Sequence, residues 1–111
     1  MSGTIDLVRA YVALYTSRDR EAFAERLAPG FTFTSPYDDH IDEAAYFERC
    51  WPGGDTVEQF DVEAMAADGE RVFMRYLAKW PGKPAFRNVE VIAISDGRIA
   101  SVEVYFGSGA S

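Results

Sequence analysis

Between Ala85 and Gly107 the chain reads AFRNVEVIAISDGRIASVEVYFG, with Asn88 and Glu90 set among Phe86, Ile92 and Ile94. Residues two apart on a strand share a face. An amide and a carboxylate would then stand together on an otherwise apolar wall. A glutamate facing such a wall loses hydration, its pKa rises, and it suits general acid or base work near neutral pH. The alternative is a Glu90 that faces outward or pairs with Arg75 or Arg87. Arg75 lies between Phe73 and Leu77. It is either a binder of an anionic or carbonyl oxygen or half of an ion pair with an acid on a neighbouring strand. Tyr11, Tyr15 and Tyr46 offer phenol donors that can polarise a carbonyl. As core residues they would instead satisfy their hydroxyls within the protein.

His40 is the only histidine, and Asp38, Asp39, His40 and Asp42 lie close together. They read as a polar loop at the rim of a cavity, with Asp38 and His40 as acid or base candidates. The group lacks the helix or strand spacing that aims three ligands at one metal ion, and no metal is expected. Cys50, the only cysteine, falls on the apolar face of an expected helix and reads as inert core. Trp51, Trp80 and Phe86 read as cavity wall or core. No glycine-rich phosphate loop, paired CxxC or dinucleotide fingerprint is present, and no cofactor is expected.

These side chains need elements to hold them. Thr4 reads as the N-cap of a first helix whose stripe is Leu7, Val8, Tyr11, Leu14 and Tyr15, ending near Ser17. Asp19 caps a second helix carrying Phe23 and Leu27, stopped by Pro29 and Gly30. Phe31 to Ser35 alternates as a short strand, and Tyr37 to His40 reads as a loop. Asp42 caps a third helix with Tyr46, Phe47 and Cys50 inward, stopped at Pro52, Gly53 and Gly54. From Val57 the period becomes two. Asp68-Gly69 marks a hairpin, and Arg71 to Trp80 forms a long strand with Val72, Met74, Tyr76 and Trp80 on one face. Pro81 to Pro84 turns the chain, and Ser95 to Gly97 joins the last two strands. The tail from Gly107 is expected to fray.

The last hairpin admits two registers. A two-residue turn at Asp96-Gly97 sets Glu90 opposite Glu103, a carboxylate pair that would split its pKa values. A three-residue turn sets Glu90 opposite Val102, with Glu103 outward and Val102, Val104 and Phe106 inside. The second is favoured by that apolar alternation.

The order of elements is an α+β layout in one domain, residues 1–111: three N-terminal helices on one face of a curved, mainly antiparallel sheet. The other face also carries apolar groups, so a homodimer through it is expected. With 11 basic against 18 acidic residues the net charge is −7. There is no basic cluster, which argues against a phosphate-backbone ligand and against an anionic membrane surface, so neither nucleic acid nor membrane is expected as a partner. A single cysteine and the absence of an apolar leader or membrane-length stretch point to the cytoplasm.

Four segments carry a resemblance: YVALYTSRD from Tyr11 to Asp19, FTFTSP from Phe31 to Pro36, DGRI from Asp96 to Ile99, and VEVYF from Val102 to Phe106. Their order and spacing, over nearly the whole chain, resemble the nuclear transport factor 2-like superfamily, in particular its SnoaL-like and ketosteroid-isomerase-like bacterial members. The resemblance implies a cone-shaped barrel open at one end to a small, mostly apolar ligand, and often a dimer. It implies a role for Tyr11, which matches the helix tyrosine of the isomerases, and for Glu90, at or next to their late-strand acid. Ser35 stands where their aspartate base would be, which argues against their mechanism. Arg75 with Glu90 only partly echoes the Asp-Arg-Asp set of the epoxide hydrolases. The combined expectation is acid/base chemistry of isomerase, cyclase or hydrolase type on a small oxygenated apolar molecule. Glu90, Tyr11, Asp38 and His40 would be catalytic, and Tyr15, Ser35, Tyr46, Trp51, Arg75, Phe86 and Asn88 would hold the substrate. The alternative is a non-catalytic ligand-binding or dimeric interaction module of the same fold.

Overall fold

The computed structural model describes residues 3–51 and 57–109. The stop expected at Pro52, Gly53 and Gly54 lies outside them. Three helices, α1 (Gly3–Ser17), α2 (Arg20–Glu25) and α3 (Glu43–Cys50), accompany strands β1 (Leu27–Ser35), β2 (Asp38–Ile41), β3 (Gln59–Asp68), β4 (Arg71–Lys79), β5 (Phe86–Ser95) and β6 (Arg98–Gly109). The strands form one sheet in the order β2-β1-β6-β5-β4-β3. All neighbours are antiparallel except β1 and β6, which run parallel. The curved sheet does not close on itself; β2 and β3 are its edges.

Local chemistry accounts for the helices. Asp19 accepts a hydrogen bond from the Ala22 amide at 3.2 Å, and Asp42 from the Ala45 amide at 2.9 Å, so both expected caps form. α1 begins at Gly3, which puts Thr4 inside the first turn rather than at the cap. Val8, Tyr11, Phe23, Tyr46 and Phe47 turn inward and meet Val72, Met74, Ile92, Ile99 and Val102 from the sheet, making one continuous core. Burying each such side chain contributes roughly 1.5–3 kcal/mol before entropy is charged against it.

Three expectations need correction. Helix α2 ends at Glu25, and Leu27, Pro29 and Gly30 already belong to β1. Gly30 has a φ of +81° and lies where the β1–β6 register shifts, so Pro29-Gly30 kinks a strand instead of stopping a helix. The segment read as a loop from Tyr37 to His40 instead enters β2 at Asp38, and the strand pairs with β1 at Phe33↔Ile41 and Ser35↔Asp38. Its polarity belongs to a short edge strand, where charged side chains discourage further pairing. Of the tail read as frayed from Gly107 to Ser111, the part to Gly109 continues β6, opposite Phe86, and the last two residues lie outside the described ones.

The last hairpin combines features of both registers. Asp96 and Gly97, at φ +51° and +75°, form a two-residue turn, with Ser95 opposite Arg98. An extra residue at Ala100 then shifts the pairing, which sets Glu90 opposite Val104 and Glu103 opposite Val91. Val102 and Val104 are buried inside, as favoured, whereas Phe106 is half exposed. Glu90 and Glu103 therefore lie on opposite faces and form no carboxylate pair.

Candidate functional site

A cavity of about 400 Å³ opens between the helices and the inner face of the sheet. Strand alternation delivers Asn88 and Glu90 to it from β5, and the β4–β5 register sets Tyr76 directly opposite Asn88 and diagonal to Glu90. The Tyr76 hydroxyl donates to Glu90 Oε2 at 2.8 Å, and Asn88 Nδ2 donates to the Tyr76 oxygen at 3.2 Å. Asn88 thus orients the phenol, and the phenol orients the carboxylate.

Glu90 is half-buried against the cavity, and loss of hydration pushes its carboxyl up to about 7, while the Tyr76 hydrogen bond pulls it down. Glu90 therefore exchanges its proton near neutrality. Tyrosines surround it. Burial, then the Glu90 charge, raises Tyr11 and Tyr76 well above the usual phenol range. Burial and Glu90 lift Tyr15 to about 12, while Arg18 opposes them. Tyr46 is also raised, chiefly by burial and by Tyr15. All four phenols stay protonated and can donate. Among the described residues the hydroxyls of Tyr11 and Tyr46 meet no protein hydrogen-bond partner.

A second polar group sits on the same wall. Ser35 Oγ donates to Asp38 Oδ2 at 3.0 Å and accepts from the Tyr37 amide at 3.1 Å. Arg49 Nη2 lies 2.8 Å from Asp38 Oδ1, an ion pair by distance whose geometry is not that of a hydrogen bond. The Asp38 side chain is 8% exposed and that of Arg49 52%, so this pair joins the cavity to its rim. Cys50 also lines the cavity, and burial lifts its thiol to about 11, which keeps it neutral.

Of the residues singled out by sequence, Tyr11, Tyr15, Ser35, Asp38, Tyr46, Phe86, Asn88 and Glu90 line this one cavity. Three lie elsewhere. Arg75 is on the outer sheet face, 3.3 Å from Glu63, which also holds Arg87 in a two-pronged pair at 2.8 and 3.1 Å. Glu63 thereby occupies both arginines considered as partners of Glu90. His40 projects from edge strand β2 into solvent against Asp39, at φ +52°. Trp51 is buried behind the wall, edge-on to Tyr15 and beneath the Arg18 guanidinium at 4.2 Å. Among the described residues no set of three His, Cys, Asp or Glu side chains converges on a metal position.

Tyr76 was missed as a site residue. Its inward face was legible, but its partnership with Glu90 needs the register across the turn from Trp80 to Ala85. Counting that turn from the Ala78↔Phe86 pair would have found it.

The family profile described as SnoaL-like domain matches residues 8–102. Among solved structures the chain is similar to an NTF2-like protein of unknown function from Cytophaga hutchinsonii, with 23% identity, TM-score 0.80, and coverage of 96% of this chain and 92% of that one. It is similar to a candidate ketosteroid isomerase from Kribbella flavida, with 22% identity, TM-score 0.83, and coverage of 97% and 80%. It is also similar to an LEH-like epoxide hydrolase from M. tuberculosis, with 20% identity, TM-score 0.79, and coverage of 94% and 82%. At these identities the likeness establishes the fold. No curated protein sequence matches the chain. Among the described residues no helix is long and apolar enough to cross a membrane.

Proposed function

The chain belongs to the SnoaL-like family, and from that premise we propose that it performs cofactor-independent proton transfer on a small, apolar, oxygenated molecule. The observation that carries the reading is Glu90: a carboxyl pushed up to about 7 in a cavity and tied, among the described residues, only to the neutral Tyr76 hydroxyl. As carboxylate it would take a proton from a carbon next to a carbonyl. Tyr11 and Tyr46 would donate hydrogen bonds to the oxygen as negative charge gathers there. Glu90, now protonated, would return the proton to the same or another carbon, giving exchange or isomerisation. Phe86 and Tyr15 would provide the apolar bed. Asp38, held by Ser35 and Arg49, would be the second acid/base group, nearer the rim.

The test uses 2-tetralone, an apolar bicyclic ketone with acidic protons beside its carbonyl. Its exchange in D2O is followed by NMR. The expected outcome is exchange accelerated by the protein and slowed by about 10²–10⁴-fold in Glu90→Gln, with the fold intact. Equal acceleration by both proteins would defeat the proposal. A ligand carrier is the second reading, favoured by Ser35 at the position where the resemblance implies an aspartate base. It would bind the ketone with no exchange. A homodimer through the outer sheet face belongs to the same proposal, supported by exposed Phe73 and Tyr105 there. So does a cytoplasmic location, supported by the single cysteine and testable by cell fractionation.

A further inference from the structure

The charge balance of the cavity goes beyond a neutral substrate. Its charged lining side chains are Glu90, Asp38 and Arg49. Asp38 and Arg49 pair with each other at 2.8 Å. Glu90 has no cationic partner among the described residues: Arg75 and Arg87 are bound to Glu63 on the far face of the sheet. Arg18 lies over the rings of Trp51, Tyr15 and Trp80 at 4.2, 5.4 and 5.8 Å. It lowers the Tyr15 phenol and does not figure among the influences on Glu90. Arg18 Nη1 is itself buried without a hydrogen-bond partner among the described residues, but Arg18 lies behind the Tyr15 and Trp80 rings and does not line the cavity. Glu90, when ionised, is then the one charge lining the cavity that has no partner among the described residues. Around that charge the wall is aromatic. Phe60 stacks on Tyr76 with ring centroids 4.5 Å apart, and Tyr15 stands 6.0 Å from Phe60 and 6.4 Å from Trp80.

A half-buried carboxylate in this position is compensated by a proton or by a cation. Ring faces favour the cation, because their quadrupole presents negative charge to it. The chain's net charge of −7 draws cations towards the molecule. We infer that the ligand of this cavity carries a basic nitrogen: an organic ammonium group with its charge against Glu90, held among the aromatic side chains of Tyr15, Phe60, Tyr76 and Trp80 that line the same cavity. The inference rests on the reading of the cavity as a small-molecule site and adds the charge of its occupant. The bound ammonium would also hold Glu90 ionised, the form in which it accepts a proton.

The groups facing Glu90 are the phenols of Tyr11 and Tyr15 from α1, Tyr46 from α3 and Tyr76 from β4. All titrate far above neutral pH, and Asp38 is already paired. Between pH 5 and 8 the cation then competes with a single proton on Glu90. The probes are phenyltrimethylammonium, whose charge is independent of pH, and its uncharged carbon isostere tert-butylbenzene. Binding is measured from quenching of tryptophan fluorescence. At pH 8 the cation should bind about tenfold or more tightly than the isostere. Its affinity should fall about tenfold per unit as the pH drops below the Glu90 value of about 7. Glu90→Gln should abolish both the preference and the pH dependence while still binding the isostere, which shows that the variant keeps its cavity.

Equal binding of both probes at pH 8, or cation binding indifferent to pH and to Glu90→Gln, would overturn the inference. So would isostere binding without cation binding, but that result, like 2-tetralone exchange, would leave the proton-transfer reading standing. Binding of neither probe would overturn the inference and remove the small-molecule site with it.

Discussion

Glu90 links activity to stability through one proton. In the folded protein it titrates at about 7, against 4.5 for a free glutamate. Between those values the folded chain holds a proton that the unfolded chain has released. Stability contributed by this site is therefore present below about pH 4.5 and is lost as pH rises to 7. At pH 8 the ionised carboxylate costs the fold on the order of 2–3 kcal/mol. Glu90→Gln should accordingly be more stable than the parent at pH 8, by up to that amount, with the gain vanishing at pH 4. Urea titrations at the two pH values check the sign. A variant that loses proton transfer while gaining stability would mark a residue held for chemistry, and a destabilised variant at pH 8 would contradict the burial argument. Tyr76 provides a separate check. Its hydroxyl stabilises the Glu90 carboxylate, so Tyr76→Phe should move the midpoint of the rate–pH profile upward, whereas a downward move would show that the hydrogen bond favours the protonated acid.

At the scale of elements, the sequence exposed the inner face of each strand and concealed how the strands pair. Alternation placed Asn88 and Glu90 together, and helical spacing placed Tyr11, Tyr15 and Tyr46 against them, because side-chain direction is a local property. Register is set by single residues in turns and bulges. The extra residue at Ala100 moved Glu90 from the expected Val102 or Glu103 to Val104. The bulged residue in β3, between Val62 and Ala64, is Glu63, which lies where it can bind Arg75 and Arg87. No pattern in composition announces such positions. β2 was illegible for a related reason: an edge strand of Asp and His residues looks like a loop until its partner is known. Gly107 is another position whose role depends on pairing. A Cβ there would stand 2.5 Å from the Arg87 carbonyl oxygen. Gly107→Ala should therefore force β6 away from β5 next to Phe106, at a cost of about 1–3 kcal/mol. Thermal unfolding reads this directly, and an unchanged midpoint would mean that the strand yields freely.

For the whole molecule, the sheet has one covered face and one that presents Phe73, Tyr105 and the Glu63–Arg75–Arg87 cluster to the surroundings. Sedimentation at micromolar concentration is expected to show twice the chain mass, and Phe73→Asp with Tyr105→Asp to halve it. A monomer in the parent protein would remove the dimer from the proposal. The same sheet also dictates the order in which the chain can assemble. β3, β4, β5 and β6 follow one another as antiparallel neighbours, each available to the next as it leaves the ribosome. Among the described residues β1 joins the sheet's remaining strands only through β6, which comes last of this sheet's strands in chain order. The helices and β1 must wait through the synthesis of the 62 residues between Ser35 and Arg98 before the surface they cover is complete. Until then β1 and β5 each offer an unpaired edge to any neighbouring strand, which makes the nascent chain, rather than the finished protein, the form most exposed to aggregation.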